Sequence, residues 1–230
     1  MTDPPDWDLR SAELARAAIQ DGRPTSWFDE LYSAGTRGEI GMPWDRPAPL
    51  PLVTGYFAAH PLEPGSRAIV IGCGLGVDAE YLAGLAAKSG SSVTAFDISE
   101  TAIEFVRTRY PSSTVDYREA NLLELPAEWG GAFDLVLEVI NVQALPLSLR
   151  PQAIAAVASL VAPNGRLVVV ENVRADDAPL SERPPWPFSR DEIVSYGAGG
   201  LSELSIDKVP SATTGPGAIS LRWFAVFQRS

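Results

Sequence analysis

Between residues 67 and 170 the chain alternates two hydrophobic periods. Short apolar runs at Arg67–Ile71, Val93–Phe96, Phe133–Val139 and Leu167–Val170 read as strands, and the weaker alternation of Thr114–Arg118 adds another. Between them apolar residues recur at helical spacing. Val77–Lys88 carries Val77, Tyr81, Leu82 and Leu85; a segment capped by Ser99 and ended by Pro111 carries Ile103, Val106 and Tyr110; Pro151–Val161 carries Ile154, Val157 and Leu160. Pro163-Asn164-Gly165 reads as a turn ahead of the fifth strand. Phe133–Val139 is almost continuously apolar, as a central parallel strand buried on both faces should be. Strand–helix alternation implies a mostly parallel sheet with right-handed crossovers and helices on both faces. A capping box, Ser189 to Glu192, opens a further helix, and strands follow at Leu204–Val209 and Ile219–Phe227. Only Pro210–Ala218 separates that pair, a hairpin-length connection. The expected fold is therefore α/β, with seven strands and one antiparallel strand near the edge.

Ahead of the sheet the pattern is different. Leu9–Gln20 has helical composition, and Thr25 and Ser26 are placed to cap a short aromatic helix, Trp27–Ser33. Residues 34–51 form a Gly- and Pro-rich loop that carries Trp44, and a helix over Leu50–Ala59 stops at His60-Pro61. Residues 1–8 are acidic and proline-containing, with disorder expected at the tip. No repeat or composition break divides the chain. The expectation is one domain over 1–230, with 1–60 as a helical lid and cap and 61–230 as the sheet core.

Composition narrows the partners. The chain has 230 residues, 46% hydrophobic and 20% charged, with 18 basic against 29 acidic residues and a net charge of −11. Such a surface repels phosphate, which argues against nucleic acid and anionic membrane as partners and leaves a small molecule. The single cysteine, Cys73, and single histidine, His60, allow neither an internal disulfide nor a His/Cys zinc cluster, so no metal site is expected. Asp3, Asp6 and Asp8 begin the chain where a signal peptide would be apolar, and no apolar run reaches the roughly 20 residues of a membrane span. The expected compartment is the cytoplasm.

The chemistry concentrates in Gly72-Cys73-Gly74-Leu75-Gly76, which follows a strand and opens a helix. Glycines there allow a tight turn and a close ligand approach. Asp97 closes the second strand about 20 residues on, where a carboxylate accepts hydrogen bonds from a ribose diol. Together they point to an adenine nucleoside at the strand ends. The spacing is G-x-G-x-G, and Asp78 in the first helical turn would repel a pyrophosphate, which disfavours a dinucleotide. Trp27, Phe28, Tyr32 and Trp44 lie ahead of the sheet and could cover a bound cation and exclude water. Glu138 ends a central strand at the face where ligands of such sheets bind, a weak catalytic candidate; Cys73 reads as a packed residue of the turn and His60 as a surface histidine.

These residues resemble the thiopurine S-methyltransferase family with its thiol and halide methyltransferase branch. Trp27 with Asp29, Glu30 and Gly35 is similar to the family's N-terminal stretch, and Pro43-Trp44-Asp45 with Pro49-Leu50 to the halide branch. Gly72-Cys73-Gly74, Asp97-Ile98-Ser99, Phe133-Asp134 and Pro184-Pro185 also match. The resemblance implies a Rossmann-like class I methyltransferase sandwich using S-adenosylmethionine, which leaves as S-adenosylhomocysteine. It implies cofactor contacts at Trp27, Gly72, Asp97, Asn121-Leu122 and the end of strand four. With the residues read above, the expected cofactor set is Trp27, Trp44, Gly72, Cys73, Gly74, Gly76, Asp78, Asp97, Ile98, Asn121, Leu122, Glu138 and Val139. The chain departs from the thiopurine branch in having Glu138-Val139 where that branch has Asp-Arg, and Leu31 where it has a second tryptophan. No strong base is evident, so the acceptor expected is a thiol or similarly soft nucleophile. A natural-product O- or N-methyltransferase and a catalytically silent cofactor-binding protein remain alternatives.

Overall fold

The computed structural model describes residues 7–175, 178–212 and 219–230. Three helices precede the sheet: α1 (Trp7–Gln20), α2 (Trp27–Thr36) and α3 (Pro51–Ala59). The core then runs β1 (Arg67–Ile71), α4 (Val77–Ser89), β2 (Ser92–Asp97), α5 (Glu100–Arg109), β3 (Asp116–Glu119), β4 (Phe133–Val139), α6 (Arg150–Ser159), β5 (Val161–Asn172), α7 (Arg190–Val194), β6 (Leu201–Ala212) and β7 (Ile219–Arg229). The strands form one sheet in the order β3-β2-β1-β4-β5-β7-β6. β3, β2, β1, β4 and β5 are mutually parallel, and β7 runs antiparallel to both β5 and β6. The antiparallel strand is thus second from the edge, and β6 forms the edge itself.

Strand alternation divides the interior into two cores. Ile69, Ile71, Val136 and Val169 face α1, α2 and α6, while Ala68, Val70, Leu137 and Val168 face α3, α4 and α5. This is the two-sided burial that a parallel sheet requires. Ser99 caps α5 by accepting the Ala102 amide at 3.0 Å, and the Ser189–Glu192 capping box opens α7.

Three local expectations are corrected. Ser26 does not cap α2: its backbone is helical, and its hydroxyl donates back to the Arg23 carbonyl at 3.0 Å. Thr25 contributes through its backbone carbonyl, which accepts the Phe28 amide at 3.4 Å. Pro163-Asn164-Gly165 does not precede β5 but lies inside it. Val161 pairs with Phe133 and Arg166 with Leu135, and the excess chain between them bulges out through Asn164 at φ 63°. Trp7 and Asp8 belong to α1 rather than to a loose tip, whereas residues 1–6 and the 213–218 connection lie outside the described residues. Among the described residues no helix is long and apolar enough to cross a membrane, and no cluster of His, Cys, Asp or Glu could hold a metal.

Candidate functional site

The carboxyl ends of β1, β2, β4 and β5 open onto a cavity of about 540 Å³, within the range of small-molecule sites. Residues of α1, α2 and the segment around Trp44–Arg46 also line it. α2 is fixed there by Asp29, whose Oδ1 accepts the Ser99 hydroxyl at 2.7 Å and the Thr101 amide at 3.0 Å. These bonds hold the Asp29 carboxyl below its ordinary pKa although burial opposes them.

The glycine turn leaves β1 with Gly72 at φ 55° and Gly74 at φ 48°, a backbone that L side chains rarely adopt. The Cys73 amide donates to the Phe96 carbonyl at 2.8 Å, which ties the turn to β2. A Cβ on Gly72 would fall 1.6 Å from Asn141 Nδ2, and one on Gly74 2.7 Å from the Tyr32 hydroxyl. The glycines therefore make room for two polar side chains that themselves line the cavity. Gly76 behaves differently. It begins α4 at φ 83°, and its missing Cβ faces the Tyr117 hydroxyl, away from the cavity.

Asp97 sits beside this turn and is nearly enclosed. Its Oδ2 accepts the Gly74 amide at 2.9 Å and its Oδ1 the Ser99 amide at 3.0 Å. Burial raises its pKa, and the backbone amides partly offset that. Each carboxylate oxygen has a second lone pair, so Asp97 keeps acceptor capacity toward the cavity it lines.

Trp27, Trp44, Gly72, Cys73, Gly74, Asp78, Asp97, Ile98, Asn121, Leu122 and Val139 all border the one cavity; Gly76 and Glu138 do not. Burial, with Asp97 alongside, pushes the Cys73 thiol well above its ordinary pKa, so it is a poor nucleophile. His60 is exposed, stacks on Tyr56 at 4.5 Å and lies off the wall. Trp44 is the hub of an aromatic cluster, with ring centroids 5.1 Å from Trp7, 5.5 Å from Tyr32, 6.1 Å from Trp27 and 6.2 Å from Phe28.

Glu138 lies behind the wall. It is fully buried, and its Oε1 accepts the amides of Asn141 at 2.8 Å and Val142 at 2.9 Å. Those bonds hold a turn in which Ile140 takes φ 58°, a costly conformation for a β-branched residue. Glu171, also fully buried, accepts the Gln143 amide at 3.0 Å. Glu138 and Glu171 lie close enough to interact, and their Oε2 atoms have no hydrogen-bond partner among the described residues. A proton shared between the two satisfies both, and burial raises both pKa values accordingly. The pair thus shapes the 140–143 turn and does not line the cavity.

Several cavity residues carry no sequence motif. Arg46, Asn141, Gln143, Asn172 and Arg222 are polar residues from four different segments. Glu171 had a readable signal: like Glu138, it closes a long apolar strand.

Residues 68–165 match a family model described as a methyltransferase domain. Ubiquinone biosynthesis O-methyltransferase of Xanthomonas campestris pv. campestris is 36% identical over 121 residues, 51% of this chain and 47% of that protein. The chain spans about half the length of the curated relatives it matches. Among solved structures, one concerned with conversion of a disulfide bond into a thioacetal group during echinomycin biosynthesis superposes with TM-score 0.70 at 25% identity, over 88% of this chain and 93% of that one. The Burkholderia thailandensis 1,6-didemethyltoxoflavin-N1-methyltransferase, with 1,6-didemethyltoxoflavin and S-adenosylhomocysteine bound, gives TM-score 0.61 at 19% identity, over 100% and 93% of the two chains. The fold is the Rossmann-like class I sandwich. Over residues 68–165 the chain is similar to a methyltransferase domain.

Proposed function

We propose that the protein transfers a methyl group from S-adenosylmethionine to a small-molecule acceptor whose reacting atom is a thiol sulfur or similarly soft nucleophile. The residues present fit the cofactor. Asp97 is placed to take the ribose hydroxyls beside the Gly72–Gly74 turn, and Ile98, Asn121 and Leu122 border the adjoining stretch of wall. When bound, the cofactor supplies a methyl on a sulfonium leaving group that needs no protonation. Trp27, Phe28, Tyr32 and Trp44 present apolar faces that suit a cation and exclude water. In this reading residues 1–60 act as the lid and 61–230 as the core that binds the cofactor.

One observation carries the choice of acceptor. Every carboxylate on the wall is already engaged: Asp8 with Arg183 at 3.1 Å, Asp45 with Arg109 at 2.8 Å, Asp78 with Arg46 at 2.5 Å, and Asp97 with two backbone amides. No histidine or lysine lies among the described residues of that wall. A thiol of pKa about 8.5 is partly ionised near neutrality and needs no protein base. Trp44 and Asp45, of the segment similar to the halide branch, and Trp27, Pro184 and Pro185, which carry the wider family resemblance, all border the cavity. The echinomycin-related neighbour also concerns a change at sulfur. The acidic surface and lone cysteine suit a reducing cytoplasm. A second reading, O-methylation, is favoured by the name of the ubiquinone-biosynthesis relatives.

The test is a panel of thiols, phenols, amines and iodide with methyl-labelled cofactor over a pH series. Thiol methylation that rises with the thiol's own ionisation is expected. Labelling of phenols or amines alone, or a rate that follows an enzyme group, would contradict the soft-acceptor reading.

A further inference from the structure

Two arginines line the cavity, and they are not equivalent. Arg46 is ion-paired with Asp78 through Nη2 and keeps one enclosed donor, Nη1. Arg222, on β7, has no carboxylate within ion-pair distance among the described residues. Its Nη1 donates to the neutral Asn172 Oδ1, its Nε is enclosed without a partner, and its Nη2 makes no hydrogen bond among them. Arg222 is half-buried, and burial lowers its pKa, with Arg46 adding like charge and buried Glu171 partly offsetting both. A guanidinium stays charged under such a shift, so this wall holds a cation with no ion-pair partner among the described residues, in a chain of net charge −11. A desolvated cation with unused donors is costly unless an anion completes it.

Position separates this cation from the nucleoside end. The glycine turn and Asp97 belong to β1 and β2, whereas Arg222 stands opposite Asn172 where β7 pairs with β5. In the sheet order β7 lies three strands from β1, about 14 Å at the usual strand spacing. Gln143, Pro184 and Pro185 border the same cavity. The planar guanidinium fork matches a carboxylate through paired N–H donors.

We propose that Arg222 receives a carboxylate of the methyl acceptor, so that the acceptor is a small organic acid. This rests on the methyl-transfer reading for the identity of the ligand, but the anion site is testable without turnover. The protein is saturated with S-adenosylhomocysteine and titrated calorimetrically with 2-mercaptobenzoate and 2-mercaptobenzamide, then with mercaptoacetate and mercaptoacetamide. The acids are expected to bind at least about tenfold more tightly than the amides. Arg222→Gln should erase that preference, Arg222→Lys should retain part of it, and the affinity for S-adenosylhomocysteine should stay unchanged in both. The assignment is overturned if wild-type protein binds acid and amide alike, or if Arg222→Gln keeps the preference. It is also overturned if Arg222→Gln loses cofactor affinity, which would move the arginine to the methionyl carboxylate. Acid-selective binding without methylation of either compound would leave the Arg222 assignment standing and remove the methyl-transfer reading instead.

Discussion

Arg46 reaches from the segment ahead of the sheet to the first turn of α4 and donates through Nη2 to Asp78 Oδ2 at 2.5 Å. The bond joins the aromatic cover to the helix that follows the glycine turn. Burial raises the Asp78 pKa although Arg46 opposes it, so the carboxylate depends on its partner to stay ionised. Arg46 Nη1 is enclosed with no partner, and the side chain borders the cavity, which suits the methionyl carboxylate of the cofactor. Arg46→Gln should weaken S-adenosylmethionine binding by roughly 10- to 100-fold, the worth of a hydrogen bond to a charged group. Binding of 5′-methylthioadenosine, which lacks that carboxylate, should not change. Equal losses for both ligands in calorimetry would refute the assignment.

In the proposed function Asp97 has two duties, and substitutions separate them. Asp97→Ala removes the acceptor of the Gly74 and Ser99 amides as well as the ribose ligand. It should cost about 1.5–3 kcal/mol of cofactor affinity together with a fall in melting temperature. Asp97→Asn keeps one acceptor oxygen and should lose less of each. A folded Asp97→Ala protein that bound the cofactor as wild type does would remove Asp97 from the site.

Trp44 combines a central place in the aromatic cluster with φ 51°, a left-handed backbone that a side chain strains. Trp44→Ala and Trp44→Gly should both depress methyl transfer. The glycine variant should be the more stable by roughly 1 kcal/mol, because glycine occupies positive φ freely. Urea unfolding of the two variants decides this, and a less stable glycine variant would contradict it.

The strand cores were legible because apolar runs end abruptly. β1 and β4 appear with the boundaries that Arg67–Ile71 and Phe133–Val139 suggest. β5 was read short because Pro163-Asn164-Gly165 looks like a chain reversal, and nothing local shows that its outer partner Val161 pairs with Phe133. The glycine turn and Asp97 are legible together because their spacing is fixed by one strand–turn–helix unit, and both border the cavity. Arg46, Asn141 and Arg222 were not, since each reaches the cavity from a different segment and only tertiary packing brings them together. Glu138 drew attention by its place at a strand end, but the sequence does not say whether a carboxylate there points to solvent or, as here, to the amides of the next turn.

The Glu138–Glu171 pair predicts a pH signature of stability. Glu171 has an ordinary pKa of 4.5 that burial, with Glu138 beside it, raises well upward in the folded protein. Above about 4.5 the folded state therefore holds more protons than the unfolded state. The stabilisation is full below that pH and declines as pH rises toward the folded pKa. Arg150 opposes the shift of both carboxyls, and the buried Tyr196 hydroxyl lies close to the pair. Glu171→Gln carries no proton to lose and can still donate to Glu138. Its stability relative to wild type should therefore climb as pH rises above about 4.5, by at most about 1.4 kcal/mol per pH unit. A difference that is constant with pH in urea unfolding would show that the pair does not share a proton.

The central claim is that the cavity over the ends of β1, β2 and β4 binds S-adenosylmethionine against the glycine turn. Calorimetric titration of the intact protein with S-adenosylmethionine, repeated on Gly74→Val, tests it most directly. A valine at φ 48° with its Cβ against the Tyr32 hydroxyl would distort the turn and leave the sheet core in place. One binding site per chain is expected in the wild type, with its loss in a Gly74→Val protein whose circular dichroism is unchanged. Absence of binding to wild type, or undiminished binding to the folded variant, would contradict it.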